Sequence, residues 1–598
     1  MPEQPTSSRS RRAAIEAWGP IADELVWSTP YRELFREHPP YHDWFVGGEL
    51  NLAVNCTEQH LPERAERVAL WWEGEPGDRR SLTFAELHAQ VLRLAGGLRD
   101  LGVTRGDRVA LHLGWLPETV VAMLAALRLG AEVTVIPVTL PVEALSSRLA
   151  DYQPRVLFTQ DGGWRRGAIL PLKARADEAI EATSGIQHTI VLRRTGVQVD
   201  WFEGDRWYDE VTAGRTDPGP PEALPAQHPA LAVHLANRRG HPVAIRLGGA
   251  NLAAVALANH RYAMSDGGVF WGAADVAWLG AQSHGIFGPL LAGATSVMYE
   301  GTLDYPDPAR TWQIIERYGV TSLLTSPSIV GALRGWSLTA PRGTGSLRRV
   351  VTIGDRLEPE LRSWLAGVLG DRVTLADAWG QLELGGIVAH EPHVAAPQMP
   401  APGFEIVGPD GAAVPEGEVG EWVMQHPWAG MMRSTDAGDD DPTAYHWERH
   451  PGRYATGDLA RITADGQVEF LGRVDEVISV SGQLVSLTEV RDTLLDQPFV
   501  AEAEAFERAD VHLGRSVGAA VVLEPGAPRD PASLRALQES VREVLGGLSR
   551  PRVVLVLDRF GTELTGLDLR RALAVVSTAT GTEPLPVTWE QVLSRVAR

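Results

Sequence analysis

The stretch Tyr454–Gln483, YATGDLARITADGQVEFLGRVDEVISVSGQ, decides how the rest of the chain reads. A short turn carries Asp458, and strand material follows until the Asp465-Gly466 dipeptide breaks it. An Asp-Gly pair between alternating apolar residues is a strong local hairpin signal. The returning strand leads into Gly472-Arg473-Val474-Asp475. The run Val477-Ile478-Ser479-Val480 then ends at Ser481-Gly482, which predicts a second hairpin or an edge strand.

The ordered string around that hairpin resembles the nucleotide-binding and hinge segment of the acyl-adenylate-forming superfamily, which includes acyl-CoA synthetases, adenylation domains and luciferases. The resemblance implies that Asp458 holds the ribose hydroxyls of a nucleotide. It also implies that Arg473 reaches ribose and phosphate, and that Asp475 is a hinge between two domains. The acetyl-CoA synthetase branch is resembled in two further places. Tyr41–Cys56 (YHDWFVGGELNLAVNC) is similar to its N-terminal extension, although an aromatic clamp over the main domain explains the same run. Asp161–Lys173 (DGGWRRGAILPLK) is similar to the turn whose basic residues meet the 3′-phosphate of coenzyme A, which assigns Arg165 and Arg166 to that role.

Outside these stretches the sequence describes an ordinary globular protein. At 598 residues the chain exceeds what one core organises, so at least two domains are expected. A formal net charge of −21 argues against nucleic-acid or anionic-membrane partners. The single cysteine, Cys56, suits a reducing cytoplasm and reads as a packed small hydrophobe. The basic start SSRSRR has no apolar segment behind it, so no secretory signal is expected. Arg128 and Glu132 interrupt the most apolar window, Val120–Leu140, which predicts a helix and a buried strand rather than a membrane span.

From Ala69 to Val138 the pattern alternates between strand and helix. Thr83 with Glu86 three residues later forms a capping box opening a helix through Leu101. Arg108–Leu113 reads as a strand, Glu118–Leu129 as a helix and Val133–Val138 as a strand. Near-continuous apolar strands of this kind lie in sheets covered by helices on both faces. In the small C-terminal part, Glu504–Val522 predicts two strands, Pro531–Leu545 a helix and Arg552–Leu557 a strand. The fold class expected from the pattern is α/β. The resemblance implies the rest: an N-terminal extension over residues 1–40, partly flexible, then a large domain over 41–474 with two sheet-and-helix subdomains and a smaller barrel-like part, and a small mobile α+β domain over 475–598.

Several positions depart from the resembled pattern. At the phosphate loop, His234–Ile245 (HLANRRGHPVAI) keeps Gly240 and Pro242 but carries Arg238, Arg239 and His241 where small or hydroxyl residues and lysines belong. Small residues let backbone amides approach phosphates, and bulky arginines would occupy that space. In Asp377–Gly386 (DAWGQLELGG), Asp377, Trp379, Gln381 and Glu383 align with the nucleotide and metal motif, Glu383 being the one candidate magnesium ligand. Leu382 replaces a phosphate-contacting threonine. Asp355 stands in an altered adenine-site turn. The lysine that the superfamily uses in adenylation falls on Leu567, and a basic hinge residue falls on Leu484.

The acyl pocket is assigned to Trp278, Leu279, Gly280, Ile353 and Gly380. Glycine at 280 and at 380, where the acetate branch has larger residues, predicts room for a carboxylate or acyl substrate larger than acetate. A lost indole removes about 150–250 Å² of contact surface. Candidate catalytic residues are His284, Glu383, Arg238, Arg239 and His241. Three functions remain open. The first is a repurposed enzyme of specialised metabolism that has lost ATP-dependent adenylation and does without ATP and magnesium. It would bind another adenosine-containing ligand, such as CoA, an acyl-AMP or NAD(P)H. The second is an inactive scaffold, and the third an ATP-dependent acyl-CoA ligase with a rebuilt phosphate site. A carrier protein is a further candidate partner.

Overall fold

The structure is a computed structural model that describes residues 5–181, 183, 185–213, 218–236, 242–265, 267–336, 343–354, 357, 359–390, 400–433, 443–464, 466, 468–473, 477–481, 483–510, 513–561, 564, 566–578 and 585–596. It divides into two compact units. The larger comprises residues 1–325, 336–405 and 423–455, and the smaller comprises 326–335, 406–422 and 456–598.

Two sheets build the larger unit, each covered by helices as the strand-helix alternation predicts. The first has seven strands in the spatial order Asp205–Trp207, His188–Leu192, Val156–Gln160, Arg108–Leu111, Glu132–Val135, Pro229–Ala236 and Pro242–Gly248. All neighbours are parallel except the last pair, an antiparallel hairpin whose register ends at Ala236↔Pro242. That register places the tips of both strands at the arginine-rich loop 237–241, whose own residues lie outside the described set. The second sheet has eight strands. Its central members Thr374–Gln381, Arg349–Ile353, Val320–Thr325, Val269–Gly272, Thr295–Tyr299 and Val68–Glu73 run parallel. Antiparallel edges close it at Gly386–His390 and Arg79–Thr83.

Local signals explain the helices. Phe84–Asp100 starts on the predicted capping box, with the Glu86 amide donating to Thr83 Oγ1 at 3.2 Å and the Thr83 amide to Glu86 Oε2 at 2.8 Å. Pro117–Arg128 is buried at eleven of its twelve positions, so its apolar run is core between sheet and helix, not a membrane segment. No described helix is long and apolar enough to cross a membrane. Burial pushes the Cys56 thiol far above its ordinary value, as a packed small hydrophobe requires.

The N-terminal extension is an aromatic clamp. Trp44 and Phe45 are buried, Trp18 packs edge-on against Trp428 at 4.9 Å, and Arg433 lies over the Tyr41 ring at 5.5 Å. In the smaller unit, Asp458 faces Arg473 across the predicted hairpin of Tyr454–Ile462 and Val468–Arg473, whose first two residues, Tyr454 and Ala455, belong to the larger unit. The predicted second hairpin pairs Val477–Val480 with Gln483–Ser486. Beyond it, Val500–Asp510, Gly514–Leu523, Val553–Leu557 and Leu585–Val587 form a four-stranded sheet. The helix Pro531–Leu545, capped by Asp530, carries the buried residues Leu534, Leu537 and Val541 of that unit's core.

Candidate active site

The turn after the strand Thr374–Gln381 gathers most of the predicted nucleotide-facing residues of the larger unit. A single helical turn, Leu382–Leu384, follows, then Gly385 and Gly386 with φ of +77° and +125°, and the chain returns as Gly386–His390. Both glycines are required, because these φ values strain any residue with a Cβ. A Cβ on Gly386 would also meet His284 Nε2 at 2.4 Å.

Glu383 is buried on this turn, with its carboxylate 3.6 Å from Nε2 of His446. His446 is wholly buried, and its Nδ1–H donates to the Ala455 carbonyl at 2.5 Å. Its ring stacks on Tyr454, with 4.2 Å between centroids and a 19° tilt. The Tyr454 hydroxyl donates to Gln381 Oε1 at 3.1 Å and lies 3.0 Å from His446 Nε2. Glu383 and Gln381 thus share one buried polar cluster with two residues that sequence reading did not single out.

Other assigned residues also make contacts within the fold. Asp377 accepts from Thr352 Oγ1 at 2.6 Å and from the Leu357 amide at 2.9 Å, tying two strands together. Trp379 packs edge-on against Phe404 at 5.4 Å. His284 is buried at the start of the second sheet's cover, and its Nε2 accepts from the Ile387 amide at 3.1 Å. That ring nitrogen therefore serves as an acceptor within the fold. Arg166 binds both carboxylate oxygens of Asp304, at 2.8 and 2.9 Å, beside the exposed Arg165. In the smaller unit the turn before Asp458 is held by other groups. The Gly457 amide donates to Glu421 and the Thr456 hydroxyl to the Trp422 carbonyl. Arg238, Arg239, His241, Asp355 and Asp475 lie outside the described residues.

The enlarged acyl pocket does not survive inspection of its two glycines. A Cβ on Gly380 would meet the Gly386 carbonyl oxygen at 2.0 Å and Ile387 Cα at 2.8 Å, so the neighbouring strand already occupies the place expected to be vacated. A Cβ on Gly280 would meet the Trp278 ring at 2.8–2.9 Å. Trp278 itself fills that space, packed against a cluster containing Ile353, Ala378 and Ile387, while Leu279 belongs to the main core.

With this geometry in place, likeness to known proteins assigns the class. Residues 57–434 match the AMP-binding enzyme family, and the chain belongs to it. Its branch follows from residues 7–56, which match the acetyl-coenzyme A synthetase N-terminus. Among its relatives, the acetyl-coenzyme A synthetase of Streptomyces avermitilis is 36% identical over 94% of this chain and 89% of the relative. That of Mycobacterium tuberculosis is 37% identical over 94% and 90%. That of Deinococcus radiodurans is 33% identical over 93% and 88%. These relatives overturn the first functional expectation. A chain matching acetyl-coenzyme A synthetases from the N-terminal extension through the small unit does not read as an enzyme that has lost nucleotide-driven ligation. The expectation that ATP and magnesium are excluded falls with it.

Proposed function

We propose that this protein is an ATP-dependent acyl-CoA ligase for a small carboxylate, with acetate the first candidate, whose phosphate site is rebuilt around the loop 237–241. The observation that carries this reading is the near-full-length likeness to acetyl-coenzyme A synthetases. The closed space at Gly280 and Gly380 supports a small acyl group as well.

In such a reaction the carboxylate oxygen attacks the α-phosphorus of ATP and pyrophosphate leaves. The thiol of coenzyme A then displaces AMP from the acyl-adenylate, losing its proton as the thioester forms. Asp458 is proposed to receive the ribose hydroxyls in charge-assisted hydrogen bonds, with Arg473 beside it in the hairpin register. Glu383 would hold magnesium, which offsets charge on the phosphates. One buried carboxylate suits that ion, since magnesium keeps several waters and takes further ligands from phosphates. Arg238, Arg239 and His241 are proposed to supply the phosphate grip and the cations that Leu382, Leu484 and Leu567 do not. Asp475 is proposed as the hinge and Arg165 as a contact for the 3′-phosphate of coenzyme A.

Exchange of labelled pyrophosphate into ATP, driven by acetate, tests the reading. Exchange that falls at least a hundredfold in the double variant Arg238→Ala, Arg239→Ala is the expected result, given that one lost transition-state cation costs on the order of 10²–10³ in rate. No exchange with any small carboxylate would refute it.

A further inference from the structure

The pair His446 and Tyr454 sits against the one turn that carries the candidate metal ligand, and nothing in the nucleotide chemistry above uses either residue. Their placement is costly as mere filling. A wholly buried imidazole and a buried phenol need partners for their polar atoms, and a phenylalanine at each position would pack without that demand. Here polar neighbours meet that demand. The Nδ1–H donates to the Ala455 carbonyl, which orients the ring and turns Nε2 toward Glu383 and the Tyr454 hydroxyl. The same hydroxyl reaches Gln381, two residues before Glu383.

The segment presenting this pair is itself held from outside. Trp447 packs edge-on against Tyr454 at 5.4 Å and against Tyr41 of the N-terminal extension at 6.2 Å. The Tyr41 hydroxyl is 2.6 Å from Thr443 Oγ1. A continuous chain of contacts therefore runs from the extension, through residues 443–455, to the carboxylate of Glu383.

We propose that His446 and Tyr454 are positioning residues: they set the Glu383 carboxylate and the Gln381 amide for a metal–nucleotide complex, with the N-terminal extension buttressing them. The proposal rests on the ligase reading, because it gives Glu383 the metal. Groups of this kind behind a metal ligand typically change metal affinity or activity by roughly 10–100-fold when removed.

The test measures binding to the full-length protein rather than turnover. ATP affinity is determined by calorimetry with and without magnesium, and Mn²⁺ binding in the presence of ATP by electron paramagnetic resonance. His446→Phe keeps the ring and removes both nitrogens. Tyr454→Phe removes one hydroxyl and is the variant least able to disturb folding. His446→Gln restores a polar group near the position of Nε2. The expected result is that both phenylalanine variants lose about tenfold in metal-dependent affinity. Metal-free ATP affinity should stay within twofold of wild type, and His446→Gln should recover most of the loss. Wild-type metal affinity in both phenylalanine variants would overturn the positioning role. So would equal losses with and without metal, which mark a purely structural role. A wild type that binds ATP in neither condition would refute the ligase reading, and the positioning role with it.

Discussion

Replacing Gly380 by alanine tests the closed acyl pocket with a single methyl group. The added Cβ would lie 2.0 Å from the Gly386 carbonyl oxygen and 2.8 Å from Ile387 Cα, against 3.4 Å for an ordinary contact. The obstacle is backbone on a paired strand, so no side chain can swing away. Relief demands that Gly380–Gln381 and Gly386–Ile387 move apart by about 1.4 Å, which disrupts their ladder pairing and draws the Ile387 amide off His284 Nε2. Overpacking costs typically about 1–3 kcal/mol, and one weakened buried hydrogen bond adds about 0.5–1.5 kcal/mol. The sum, about 1.5–4.5 kcal/mol, corresponds to a fall in melting temperature of roughly 2–5 °C for a unit of this size, whose unfolding entropy is about 0.9 kcal/mol/K. Thermal unfolding followed by circular dichroism reads it. Gly367→Ala is the control, since its Cβ meets nothing within 4 Å in the helix Pro359–Leu369, and alanine there should be neutral or stabilising. A Gly380→Ala protein that melts with wild type would mean that the strand gives way readily, and the closed pocket would be wrong.

Three further outcomes follow from the same structure. Glu383→Gln should keep the fold and abolish the increment that magnesium adds to ATP binding; an unchanged increment in calorimetry would move the metal elsewhere. Asp458→Ala should weaken ATP and AMP at least tenfold while leaving inorganic pyrophosphate unaffected, since a charge-assisted hydrogen bond is worth about 1.5–3 kcal/mol and about 1.4 kcal/mol is a factor of ten. Burial lowers His112 to about 4 and His260 to about 3, with Arg175 and Arg261 adding to the effect. Both are depressed in the folded state, so the unfolded chain takes up protons first once the pH falls below about 6.5. Stability is then lost as the pH falls toward the folded values, by about 1.4 kcal/mol per pH unit for each residue. Between pH 6 and 5 the melting temperature of wild type should drop more steeply than that of His112→Gln, His260→Phe; parallel curves would refute the assignment.

The fold was legible because its signals are local. The Thr83–Glu86 capping box, the helix Pro531–Leu545 and the hairpin of Tyr454–Ile462 with Val468–Arg473 each need only a few neighbouring residues, and the structure places all three elements as read. The site was only half legible. Glu383 and Gln381 sit in a recognisable string, but their partners His446 and Tyr454 stand 63 and 73 positions away, with no spacing to link them. The glycines misled for a different reason. A glycine in place of tryptophan reports a lost volume, not what moves into it, and here Trp278 and the backbone of Gly386–Ile387 do so. The substituted phosphate loop misled as well. Its unusual residues suggested lost ligation, whereas the likeness to acetyl-coenzyme A synthetases extends along almost the whole chain.

The most direct measurement incubates the purified protein with acetate, coenzyme A and magnesium–ATP, and follows thioester and AMP by mass spectrometry. Acetyl-CoA and AMP formed in equal amounts, and only when all four components are present, is the predicted result. Absence of any acyl-CoA across acetate, propionate and other small carboxylates, from a protein that is folded by its melting curve, would contradict the account.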